Sequence, residues 1–298
     1  MKKHFFLFFS LALLSCEGNE NAEGIDPIAG EQNLTVGAED LLKQKVASIE
    51  NIFYSIPSPT VTIEIIEEAG AVFDVQLTNN PQKLDDYTSK AERALNMGVY
   101  GADVNYCSAF NKTADVMMLL ACTRSLGEEL GLESIFNQTV IDRLNDNREN
   151  ADSVQAIITS TFWEIESKLE EDDRPELAAL IVIGGWVEGL NIACGQAKLN
   201  ANNEKMIGSI VDQSIALDNV IRLAQLYSSS STTIKELLES LEDLQSSFAK
   251  IEITESPGES KEEEGIPTIG VKIDRKISNE VLEEIMSKVH TIRTEIVE

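Results

Sequence analysis

Apolar side chains return every three or four residues through almost the whole of this chain, and that spacing leaves little but helices packed on one another. Ile207, Ile210, Val211, Leu217, Val220, Ile221 and Ala224 make one stripe, and Ile234, Leu237, Leu238, Leu241, Leu244 and Phe248 make the next. Ser228 to Ser231 interrupt the pattern between them, and Thr233 with Glu236 reads as a capping box that starts the second helix, so the pair predicts a helical hairpin. A final helix follows from Val281, Ile285, Val289, Ile292 and Ile296, with Ser278 as its cap. Ahead of it, Glu255 to Gly265 is acidic, holds Pro257 and reads as a loop, and Ile266 to Ile273 suits a short extended piece paired with Lys250 to Thr254. The expected fold is all-α, a bundle of roughly eight to ten helices with at most one short extended hairpin before the last. Hydrophobic residues at 43% supply ample core, and residues 39–298 are read as a single helical domain.

The N-terminus follows different rules. Lys2 and Lys3 precede an apolar run from Phe5 to Leu14, which ends in Leu13-Leu14-Ser15-Cys16. As a helix the run would rise only about 15 Å, half a hydrocarbon core of roughly 30 Å, so it reads as an export signal over residues 1–15. Its last four residues resemble the lipobox of bacterial lipoproteins, which implies cleavage before Cys16 and acylation of that cysteine. Several acyl chains, each adding about 0.8 kcal/mol per buried methylene, would fix the chain to a bilayer. Glu17 stands where an inner-membrane retention signal would have Asp, which favours the outer membrane and leaves its face open. Residues 16–38 carry acidic residues, Gly and Asn and almost no large apolar side chain, the composition of a flexible tether.

The formal charge of −27 excludes nucleic acid as a partner and disfavours anionic lipid surfaces beyond the anchor itself. Removal of Lys2 and Lys3 with the signal makes it two units more negative. With Cys16 acylated, Cys107, Cys122 and Cys194 remain. On one continuous helix the first two would lie about 22 Å apart, beyond a disulfide's reach, and all three read as buried thiols, the pairing of Cys194 being left open. His4 leaves with the signal, so His290 is the one remaining imidazole, and its place beside the apolar stripe of the last helix suits a rim residue rather than a catalytic base. Multi-histidine zinc sites, Cys-x-x-Cys pairs, phosphate loops and calcium-loop spacing are all missing from the sequence, so no metal and no cofactor is expected.

The least ordinary residues lie mid-chain. In Ala94-Leu95-Asn96-Met97-Gly98-Val99-Tyr100-Gly101-Ala102-Asp103-Val104-Asn105-Tyr106 two glycines stand three apart in a helical pattern. Each costs about 1 kcal/mol relative to alanine, so a turn or a close backbone approach is expected there. Tyr100, Asp103 and Tyr106 share one face if the helix is unbroken, and a carboxylate between two phenols is a candidate ligand or cation contact, although internal hydrogen bonding is the commoner use. In Leu180-Ile181-Val182-Ile183-Gly184-Gly185-Trp186-Val187-Glu188-Gly189-Leu190 the glycines again imply close helix packing, with Trp186 and Glu188 as further candidates. These two landmarks resemble a family of uncharacterised helical lipoproteins from Bacteroidetes. The resemblance implies a helical fold and no reaction, so no residue role is carried over from it.

Two classes of function fit these residues. The first, favoured, is a non-catalytic envelope module, anchored to the bilayer through Cys16, that binds another protein or a small ligand, with Tyr100, Asp103, Tyr106, Trp186 and Glu188 as candidate contacts. The second is an enzyme using Asp103, Glu164 or Glu188 as acid or base, which requires those carboxylates to converge in a cleft. A purely structural envelope protein would show neither a cleft nor an exposed apolar patch.

Overall fold

The computed structural model describes residues 52, 55–147, 150–201, 203–263 and 266–298. Residues 1–15, expected to be an export signal, Cys16, and residues 16–38, expected to be a tether, lie outside the described residues. Within them the architecture is all-α with one two-stranded hairpin, as the periodicity predicts. The helices are α1 (Pro59–Glu68), α2 (Lys90–Ala109), α3 (Thr113–Glu129), α4 (Gln138–Asn147), α5 (Ala151–Glu171), α6 (Pro175–Leu199), α7 (Glu204–Tyr227) and α8 (Thr232–Phe248). Strands β1 (Glu252–Glu263) and β2 (Ile266–Lys276) then precede α9 (Asn279–Val297).

Helices α2 and α6 form the centre, and each is determined locally before it packs. A capping box starts α2, with Ser89 accepting from the Glu92 N–H while the Glu92 carboxylate accepts from Ser89. Pro175 opens α6 where its missing N–H costs nothing. Every residue of α2 from Ala94 to Ser108 is buried, and α6 is buried on nearly all sides. A helix that is apolar all round belongs inside a core or a membrane, and α6 is long and apolar enough to cross one by length and composition. Here it is wrapped by α1, α2, α5, α7 and α9 instead.

The glycines set how closely these two helices cross. A Cβ on Gly98 would stand 2.0 Å from the Ile181 carbonyl oxygen, and one on Gly184 would stand 2.1 Å from that of Leu95. Gly98 and Gly101 therefore mark a close backbone approach inside an unbroken helix, and no turn occurs there.

Three local expectations are corrected. The cap of α8 is Ser231, whose side chain accepts from the Ile234 N–H, so the helix starts one residue before Thr233. Glu255 to Glu263 is paired extended backbone rather than a loop: β1 runs antiparallel to β2 from Glu252 opposite Lys276 to Glu263 opposite Ile266. The ladder shifts register between Pro257 and Ser260, where a proline has no N–H to donate, so Pro257 is accommodated by an irregularity rather than ending the strand. Cys107 and Cys122 lie on different helices, because the chain reverses after Phe110 with Asn111 at φ 56°. All three cysteines of the bundle are nevertheless buried free thiols. Burial lifts the Cys194 thiol to about 12 and raises the other two as well.

Candidate functional site

All five sequence candidates are in the interior, between 0% and 3% exposed. Tyr100, Asp103 and Tyr106 do share a face of α2, but that face meets the chain's own irregular segment between α1 and α2. The Asp74 N–H donates to the Tyr106 hydroxyl at 2.9 Å, the Asn79 N–H donates to Asp103 Oδ2 at 2.9 Å, and the Tyr100 hydroxyl donates to the Asn80 carbonyl at 3.0 Å. This segment holds only short 3-10 turns at Val75–Leu77 and Pro81–Asp86, so many of its backbone groups need other partners once buried, and this ladder of side chains supplies some of them. Asn79 also donates through Nδ2 to the Tyr87 hydroxyl, and Gln196 of α6 donates to that of Tyr106.

Glu188 reaches the same centre from α6. Its carboxylate is gripped by Arg293 of α9, Nε donating to Oε2 at 2.9 Å and Nη2 to Oε1 at 3.1 Å. The carboxyl of Asp103 stands beside it, its Oδ1 without a protein donor. Burial first, and then the negative charge of Glu188, hold Asp103 well above the usual carboxylate range. Protonation of Asp103 would leave the group as one carboxylate, one carboxylic acid and one guanidinium, with no net charge.

Trp186 points elsewhere. Its indole N–H donates to Gln213 Oε1 of α7 at 2.9 Å, and Gln213 donates in turn to Thr62 of α1. Glu164 is exposed on α5 and takes no part in the Asp103–Glu188 centre, and His290 is exposed on α9. The structure thus joins Tyr100, Asp103 and Glu188 in one polar centre, sets Tyr106 at its edge and separates Trp186 from it. Arg293, the residue that balances this centre, carries no sequence signal, since nothing in the α9 stripe distinguishes it from any solvated arginine. None of the five lines the cavities described next.

A cavity of about 360 Å³ opens where α1, α2, α5 and α6 meet. Gly98, Gly101, Ala102 and Gly185 bring no bulk to its floor, Pro57 and Pro59 bound one end, and Phe162 and Trp163 of α5 stand on the opposite wall. It falls within the roughly 300–1,000 Å³ typical of small-molecule sites, and its lining is mainly apolar with a few polar groups, among them Asn105, Thr159 and Glu166. Asn105 is 8% exposed; its Nδ2 donates to the Gly101 carbonyl while its Oδ1 has no protein donor. Trp163 is 45% exposed at the rim. The sequence held a trace of this site in the glycines of α2 and α6 and in an aromatic pair on α5, but nothing in it joins them. Among the described residues no cluster of three His, Cys, Asp or Glu could hold a metal ion.

Comparison with known protein families, with curated proteins and with solved structures finds no match to this chain.

Proposed function

We propose that this chain is an acylated outer-membrane lipoprotein, of the Bacteroidetes type its two landmarks resemble, whose helical part is a non-catalytic binding module for a small, mainly apolar ligand. The observation that carries the reading is the cavity between α1, α2, α5 and α6, which is sized and lined like a ligand site and has an aromatic rim. The Asp103–Glu188 pair supports a structural role rather than catalysis, because both carboxylates are fully buried and Glu188 is already bound by Arg293. A general acid must reach its substrate, and this one has no cavity beside it among those described.

The test is native mass spectrometry of the full chain carrying Cys16→Ser, alongside Val182→Trp, which sets an indole into the cavity wall. A discrete mass that is lost on denaturation and missing from Val182→Trp supports the reading. A ligand retained by both proteins, or no ligand together with no binding of added alkyl amphiphiles, overturns it. Metabolic labelling with a fatty acid tests the anchor separately: label on the native chain and none on Cys16→Ser is expected.

A further inference from the structure

The cavity has two neighbours with which it shares lining residues. A second, smaller cavity of about 150 Å³ lies between α3, α4 and α5, lined mainly by apolar side chains such as Leu120, Val140 and Leu144, with Arg124, paired to Glu128, also on its wall. It shares Ile158 and Phe162 with the first, so these two α5 residues are the partition between two apolar compartments. The Phe162 ring is seated against α2 because Gly101 has no side chain; a Cβ there would stand 2.3 Å from the ring's Cζ. On its other side the main cavity passes Thr159 and Trp163 into a shallow depression that also holds Glu64 and Asp152. Among the described residues, no lysine or arginine lines either the main cavity or this depression.

Shape and charge therefore vary together along the site, from an apolar interior to an acidic, aromatic mouth. We infer that the ligand is a single-chain amphiphile with a cationic, hydrogen-bond-donating head, its tail in the main cavity against Phe162 and its head beside Trp163, Glu64 and Asp152. The inference rests on the binding reading proposed above and names its ligand class. Removing an alkyl chain from water drives binding through the interior. At the mouth an ammonium meets the face of an indole and two carboxylates, whereas a carboxylate or phosphate head would meet like charge, with no cation among the described lining residues to receive it. The Asn105 Oδ1, buried on the main wall and without a donor, is a further acceptor for a head or chain that carries an N–H or O–H.

The test uses two probes of equal tail length and opposite head charge, decylammonium and decanoate, titrated into the full chain carrying Cys16→Ser. Trp163 reports through its fluorescence, and calorimetry provides a second readout. Of the two tryptophans, Trp186 is buried against Gln213, so the fluorescence change belongs to Trp163, and Trp163→Phe should abolish it and weaken the binding heat. The expected result is decylammonium binding at least about tenfold more tightly than decanoate, a preference that added salt weakens and Glu64→Gln with Asp152→Asn removes. Equal binding, or tighter binding of decanoate, overturns the cationic-head assignment and leaves the apolar site standing. Binding of neither probe by either readout overturns the ligand site itself. Phe162→Ala is expected to join the compartments and shift the preference to longer alkylammonium chains; an unchanged length preference removes Phe162 from the site.

Discussion

Replacing Arg293 by methionine would take the guanidinium from Glu188 and keep most of the side chain's apolar bulk. Glu188 is fully buried and the Arg293 side chain only 16% exposed, so water cannot readily screen the charge left behind. Removing one partner of such a pair costs about 3–5 kcal/mol, much more than an exposed ion pair is worth. Against a total stability on the order of 5–15 kcal/mol that is about a fifth or more of what holds the bundle folded. The loss should fall as the pH is lowered, because protons can then neutralise the carboxyl pair that the guanidinium no longer balances. The double variant Glu188→Gln with Arg293→Met should lose less than Arg293→Met alone, since no buried charge is left unpaired. Urea denaturation at neutral and mildly acidic pH, followed by circular dichroism, measures all of this. A loss below about 1 kcal/mol for Arg293→Met at neutral pH, or one that does not shrink on acidification, would refute the assignment of the pair as a buried, balanced charge centre.

Asp103→Asn tests the proton itself. With the carboxyl held above its usual range in the folded state, the folded protein keeps a proton that the unfolded chain releases as pH rises past the ordinary aspartate range, so this group's contribution is full in acid and is lost with increasing pH. The asparagine keeps an acceptor for the Asn79 N–H and a donor for Glu188, and is expected to give a flatter stability profile from mildly acidic to neutral pH; an unchanged slope counts against the shared proton. Glu284 acts in the opposite sense, since Lys250 first and Ser247 next hold it at about 2, so its contribution is lost as pH falls from the usual glutamate range towards 2, and Glu284→Gln should reduce the acid sensitivity of unfolding. Gly98→Ala should destabilise by about 1–3 kcal/mol or more in chemical denaturation, because its methyl group meets the Ile181 carbonyl and only a parting of α2 from α6 could make room, while Gly208→Ala, with nothing within 4 Å of the new Cβ, should not. Cys107, Cys122 and Cys194 should resist a thiol reagent at neutral pH until the protein unfolds, and fast labelling of the native chain would show the core to be more open than described.

Much of the architecture was present in the sequence because it depends on short-range rules. The 3.6-residue period of the α7 and α8 stripes, the Ser278 cap and the cost of glycine inside a helix are all local, and each identified a helix, an end or a close approach without knowledge of its partner. The same locality placed Tyr100, Asp103 and Tyr106 on one face. What that face meets was decided only by packing: the candidate ligand contacts turned out to hold the backbone of residues 74–80, a segment with a single 3-10 turn whose remaining polar groups had to be satisfied somewhere. Arg293 finds Glu188 across 105 positions, a separation over which sequence periodicity carries no information. The Glu255–Glu263 strand was hidden for a related reason, since its composition is that of a loop and its conformation comes from pairing with β2. The cavity is the extreme case, being the space left between four helices by side chains that glycine and alanine do not have. A sequence determines which faces must be buried; which faces meet, and what space remains between them, is settled only when the helices pack together.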